Sequence, residues 1–115
     1  MQELTGMLKA LADETRLKII CLLLSHNFCV GALAHRLEIS EAAVSQHLQI
    51  LRKVGLVKGE KRGYWTHYSV QREMLNLAAD KIRELALQPM QPNGNCHKNK
   101  LDSTECCKKG GKEDV

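Results

Sequence analysis

Apolar residues in this 115-residue chain recur first at helical spacing, then in alternation, then at helical spacing again, after which they nearly cease. Leu4, Met7, Leu8 and Leu11 share one face of residues 1–12, which predicts an amphipathic helix of about three turns. Asp13 suits the N-cap of a second helix over 14–24, with Leu17, Ile20, Cys21 and Leu24 facing inward. That helix is apolar around much of its circumference and so belongs near the centre of the fold. Ser25-His26-Asn27 ends it. A short third helix over 30–37 has Leu33 and Leu37 one turn apart, and Glu38-Ile39-Ser40 turns the chain into a fourth. The fourth helix opens on Ser40, a good N-cap, and closes on Gly55, suited to a left-handed C-cap. Its inward stripe is Val44, Leu48 and Leu51. Its other side carries Glu41, Ala42, Ser45, Gln46, Gln49 and Lys53, short or amide-bearing groups rather than the Glu/Lys mixture of an ordinary solvated helix. Serine and glutamine exchange hydrogen bonds with base edges, and a small alanine lets the backbone approach a groove. Two short helices joined by a tight turn, the second opening with such residues, make a helix-turn-helix whose second helix reads DNA.

After Gly55 the period drops to two. Residues 56–60 and 64–70 read as strands joined by Lys61-Arg62-Gly63, with Tyr64, Thr66, Tyr68 and Val70 on one face of the second strand. A hairpin with a basic, glycine-containing tip directly after a recognition helix is a wing. Residues 71–88 form a last helix, with Met74, Leu75, Ala78, Ile82 and Leu85 on one stripe. One small domain cannot cover both this stripe and the face of the first helix, so the two helices are expected to build a homodimer. The fold class is therefore mainly α with a small β-hairpin wing. Residues 1–88 form the DNA-binding and dimerisation domain, and residues 89–115 a flexible polar tail that begins at Pro89 and holds Cys96, His97, Cys106 and Cys107.

Composition sharpens this picture in three places. Hydrophobic residues are 43% of the chain but aromatics only 3%, so the core is aliphatic. The net charge is +4, and Arg52, Lys53, Lys58, Lys61 and Arg62 against Glu60 already supply it. The surplus thus sits on the recognition-helix end and the wing, where DNA phosphates would lie. No apolar run is long enough to cross a bilayer, and the start is amphipathic rather than a signal peptide. The expected location is the cytoplasm, with the five cysteines as reduced thiols.

Three motifs, Leu8-Lys9-Ala10-Leu11-Ala12-Asp13-Glu14-Thr15-Arg16-Leu17, Val44-Ser45-Gln46-His47-Leu48-Gln49-Ile50-Leu51 and Gly55-Leu56-Val57, occur in the order and spacing of the ArsR/SmtB family. The chain strongly resembles that family of winged helix-turn-helix repressors over about residues 4–87. The resemblance implies a homodimer that represses an operon and leaves double-stranded operator DNA when a metal or metalloid ion binds. It places Ser45, Gln46 and His47 on the operator-facing helix and sends Lys61 and Arg62 toward an adjacent groove. With Ser40, Ala42, Gln49 and Lys53 these are the candidate DNA-binding residues. The family's common ion sites are altered here. Where arsenite sensors often carry Cys-Val-Cys, this chain has Cys29-Val30-Gly31. The Asp-x-His site of zinc and nickel sensors is absent, since Ile82 follows Asp80 by two positions and residues 71–88 contain no histidine. A redox- or sulfide-sensing branch pairs a cysteine on the second helix with one on the last. Cys21 matches the first position, but no cysteine follows on the last helix before Cys96.

Cys96, Cys106 and Cys107 are therefore the candidate metal ligands. Soft thiolates select soft ions, and three sulfurs suit trigonal As(III). Adjacent cysteines both reach one pyramidal ion, nine residues separate Cys96 from Cys106, and some arsenite sensors of the family carry cysteines near the C-terminal end. His97 would add a fourth ligand for Zn(II), and Cys29 would complete a four-sulfur set for Cd(II), Pb(II) or Zn(II). A thiol redox or reactive-sulfur sensor on the same scaffold is the alternative, and a metal-sequestering protein a further one. Cys21 reads first as a small core residue on an apolar helix, Cys29 equally as packing or ligand, and His47 equally as structural or as a phosphate contact. His26, His35 and His67 read as surface residues. No motif brings a nucleophile, base and orienting group together, so no enzyme is expected.

Overall fold

The computed structural model describes residues 2–91. In chain order the elements are α1 (Gln2–Leu11), α2 (Glu14–Ser25), β1 (Phe28–Cys29), α3 (Val30–Leu37), α4 (Glu41–Lys53), β2 (Val57–Arg62), β3 (Trp65–Val70) and α5 (Arg72–Ala86). Helix α4 packs on α1, α2, α3 and β2, and α1 also lies against α2 and α5. The strands form an antiparallel sheet in the order β1-β3-β2.

Local chemistry fixes the helix ends as expected. Asp13 accepts a hydrogen bond from the Arg16 N–H at 3.1 Å, and Ser40 Oγ accepts one from the Ala43 N–H at 3.0 Å. Each satisfies one of the N–H groups that a helix start leaves without a partner. Helix α4 ends in paired backbone bonds, Gly55 N–H to Arg52 O at 2.9 Å and Leu56 N–H to Leu51 O at 3.0 Å. Gly55 sits at φ +81, the left-handed turn that this termination requires. Helix α3 ends by the same bond pattern, Glu38 N–H to His35 O and Ile39 N–H to Ala34 O, with Glu38 at φ 57. A glutamate is held there in a conformation that ordinarily favours glycine.

The core joins Leu33, Val44, Leu48, Leu51 and Leu56 to Met7, Ile19, Ile20 and Leu23, all buried. Burying one such side chain contributes about 1.5–3 kcal/mol, so the inward stripe of α4 is the element's main anchor. Helix α2 presents a different face from the one the periodicity predicts. Leu17 is 47% exposed and Cys21 is exposed, while Ile19 and Leu23 are buried with Ile20. Residues 19–24 are uniformly apolar, so the sequence leaves the helix phase open and packing against α1, α4 and β3 selects it. On α1, Ala10 takes the buried place expected of Leu8.

The wing also differs in detail. Strand β2 continues through Lys61 and Arg62, and the loop shrinks to Gly63-Tyr64 between the paired residues Arg62 and Trp65. Gly63 has φ +69 and Tyr64 does not, the pattern of a two-residue type II′ turn. Strand β1, two residues long and too short to carry a period, adds a third strand by pairing Phe28 with Tyr68 and Cys29 with His67. Phe28 is braced by the Arg36 guanidinium, 5.2 Å from its ring centre, and by an edge contact with His26.

Candidate nucleic-acid interface

Opposite the buried stripe of α4, Ala42, Gln46, Gln49 and Lys53 recur at intervals of four, three and four residues, one continuous exposed row. Ser45 flanks the row on one side and Ile50, 40% exposed, on the other. The result is a ridge of amides, a hydroxyl, small groups and one aliphatic side chain, a mixture that can pair with base edges and pack on thymine methyls. Sequence reasoning missed Ile50 because an apolar residue in an amphipathic helix reads as core. Ser40 is exposed at the start of the ridge, but its Oγ is already committed to the cap.

His47 stands apart from this row. It is half-buried, and its Nδ1 lies 3.2 Å from an Arg16 Nη. A guanidinium only donates, so Nδ1 accepts and the ring proton sits on Nε2. The same arginine donates through Nε to the Ala10 carbonyl at 2.6 Å, and its backbone N–H caps on Asp13. Arg16 therefore links the end of α1, the start of α2 and the middle of α4. The Arg16 N–H bond holds the Asp13 carboxyl below its ordinary value against some desolvation, and the nearby Arg16 charge acts in the same direction.

Lys58, Lys61 and Arg62 are exposed along β2. Arg62 pairs with Glu60 at 3.6 Å, with both side chains more than half exposed. Such a surface pair contributes only about 0–1 kcal/mol, which leaves the guanidinium free to exchange Glu60 for a phosphate. Two aromatic side chains, Tyr64 and Trp65, extend beyond these cations at the tip, both exposed. An amide-rich helix and a basic hairpin are the two parts of the candidate DNA-reading surface.

The model of the family described as bacterial regulatory protein, arsR family, matches residues 13–58, the stretch that holds α2, β1, α3 and α4. The transcriptional activator HlyU of Vibrio cholerae is 39% identical over 85 residues, which span 74% of this chain and 79% of that protein. The chain belongs to the arsR family. The arsenical resistance operon repressor of Escherichia coli K12 is 44% identical over 78 residues, 66% of each chain. Among solved structures, an ArsR-like transcriptional regulator from Rhodococcus sp. RHA1 superposes with a TM-score of 0.70 at 33% identity, covering 74% of this chain and 80% of that one. This arsR-family chain is accordingly a DNA-binding transcriptional regulator of the winged helix-turn-helix type and not an enzyme. No helix among the described residues is long and apolar enough to cross a membrane.

The ion-sensing candidates fall differently. Cys29 is a half-buried free thiol at the junction of β1 and α3, and Cys21 is a free thiol on the exposed side of α2. Among the described residues no three His, Cys, Asp or Glu side chains are grouped to hold a metal ion. Cys96, His97, Cys106 and Cys107 lie outside the described residues.

Proposed function

We propose that the chain is a cytoplasmic homodimeric repressor that holds operator DNA until a soft thiophilic ion, As(III), binds Cys96, Cys106 and Cys107. What carries the ion assignment is the donor chemistry of residues 89–115: three thiolates within twelve positions, appended to a DNA-binding domain over 1–88. Likeness to a protein named as an arsenical operon repressor is consistent with it. His97 and Cys29 are the reserve ligands for Zn(II), Cd(II) or Pb(II).

The dimer is supported by apolar surface that one protomer leaves uncovered on α1 and α5, namely Leu8, Leu77, Ile82 and Leu85. Two recognition helices related by a twofold axis enter successive major grooves about one helical turn apart. Ser45, Gln46 and Gln49 read base edges, while Lys53, Lys61 and Arg62 neutralise phosphates. Capture of one As(OH)3 breaks three S–H and three As–O bonds, forms three As–S bonds, releases three waters and so ties Cys96, Cys106 and Cys107 together. A coupling of about 1–3 kcal/mol between the two sites would weaken DNA binding about 5- to 150-fold.

A second reading, thiol redox or reactive-sulfur sensing, is favoured by the exposure of Cys21 on α2. Native mass spectrometry separates the two. Reduced protein given As(III) is expected to take up one ion per chain with loss of three protons. Protein that binds no As(III) but gains sulfur or oxygen on Cys21 would replace the ion sensor by the redox sensor.

A further inference from the structure

The chain contains one Trp, two Tyr and one Phe. Phe28 and Tyr68 pack against the core, whereas Tyr64 is 95% exposed and Trp65 is 62% exposed, side by side at the wing tip. Isolated exposed aromatics are ordinary, but here half of a scarce residue class occupies two adjacent positions, one in the turn and one opening β3. Nothing in the fold requires a ring there. The type II′ turn is set by Gly63, around whose Cβ position there is nothing within 4 Å, and Tyr64 occupies the second central place, where most residues fit. Arg62 is paired across the turn with Trp65, and Lys61, the residue before it on β2, with Thr66. Cations behind an exposed ring form the electrostatic pattern of a nucleic-acid contact, in which phosphates meet the charges and the ring meets sugar and base.

We infer that Tyr64 is a minor-groove reader: its ring enters the groove beside the major-groove site of α4 and wedges at a flexible pyrimidine–purine step. Lys61 and Arg62 clamp the phosphates on either side. The minor groove is about 6 Å wide, enough for a ring on a two-residue tip but not for a helix. A ring in that position carries little base-by-base information. It discriminates instead by how readily a step unstacks, which is easiest at TA and CA/TG steps and hardest in A-tracts. The contact adds shape readout at the edges of the operator. It rests on DNA binding by α4 and the wing and is independent of which inducer the chain senses.

The test uses the full-length reduced protein and a duplex selected on it from a random-sequence library. Failure to recover any duplex would overturn DNA reading as a whole, before Tyr64 is in question. With a duplex in hand, the sole tryptophan is a built-in reporter, and binding is expected to quench or shift Trp65 emission. Tyr64→Ala is expected to weaken binding to that duplex about tenfold or more, with the slope of affinity against salt unchanged because no phosphate contact is lost. Tyr64→Phe should retain most of the affinity. Replacing the flanking flexible step by an A-tract should weaken the wild type and leave Tyr64→Ala nearly unaffected. Circular dichroism of Tyr64→Ala should match the wild type, since the side chain is almost wholly in solvent. Wild-type affinity in Tyr64→Ala, or equal A-tract penalties in both proteins, would overturn the inference. A changed oligomeric mass with unchanged DNA affinity would overturn it in favour of a contact between proteins.

Discussion

Replacing Arg16 by alanine probes how the recognition helix is held. The substitution removes the guanidinium bonds to Ala10 O at 2.6 Å and to His47 Nδ1 at 3.2 Å, and leaves the backbone cap on Asp13 intact. A hydrogen bond from a charged donor contributes about 1.5–3 kcal/mol. Arg16 is only half-buried, so the lower end of that range applies to each bond, giving a loss of about 3 kcal/mol. For a domain of this size that corresponds to a fall in Tm of roughly 10–20 °C. The two bonds separate in a double-mutant cycle with His47→Ala, measured by urea unfolding. Residues joined by a direct bond are expected to show a coupling of about 0.5 kcal/mol or more. DNA affinity should fall in both single mutants, because α4 loses its tether to the α1–α2 junction. Additive losses within about 0.3 kcal/mol would refute a link between Arg16 and the recognition helix. So would a wild-type melting temperature in Arg16→Ala.

Three further expectations follow from particular residues. Glu38→Gly relieves a left-handed conformation that costs a non-glycine residue about 1–2 kcal/mol, offset in part by the greater freedom of the unfolded chain. A net gain of about 0.5–1 kcal/mol in urea unfolding is expected. Asp13 has its carboxyl held low in the folded state, so its contribution is present above the unfolded value near 3.8 and lost as pH falls through the lower folded value. Asp13→Ala should therefore flatten the dependence of stability on pH in that acid range, as read by melting temperature. Lys61→Ala and Arg62→Ala should each reduce the slope of log affinity against log salt by about 1, in contrast to Tyr64→Ala.

The helix-turn-helix was legible because its signals agree. Ser40, Gly55 and the Val44, Leu48, Leu51 stripe each mark the same helix by independent chemistry, capping, termination and packing, and the structure realises all three. Helix α2 was legible as a helix but not in its orientation. A run such as residues 19–24 presents apolar groups on every side, and only its neighbours decide which are buried. Strand β1 carries no periodic signal in two residues and exists because β3 offers an edge for it. At the wing, a Lys-Arg-Gly sequence reads as a loop, yet Gly63 alone supplies the positive φ that a two-residue turn needs, and the cations stay in the strand. The role of Arg16 was illegible for a different reason: its partners Ala10 and His47 lie 6 and 31 positions away, and no local pattern joins them.

The most direct test of the function is release of operator DNA by As(III), followed by fluorescence anisotropy on reduced protein. It would be run on the wild type and on a variant with Cys96→Ser, Cys106→Ser and Cys107→Ser together. Dissociation of the wild type at stoichiometric As(III), with the variant remaining bound, is the expected result. Equal dissociation of both proteins would move sensing to Cys21 or Cys29, and unchanged binding of both would contradict ion-controlled repression.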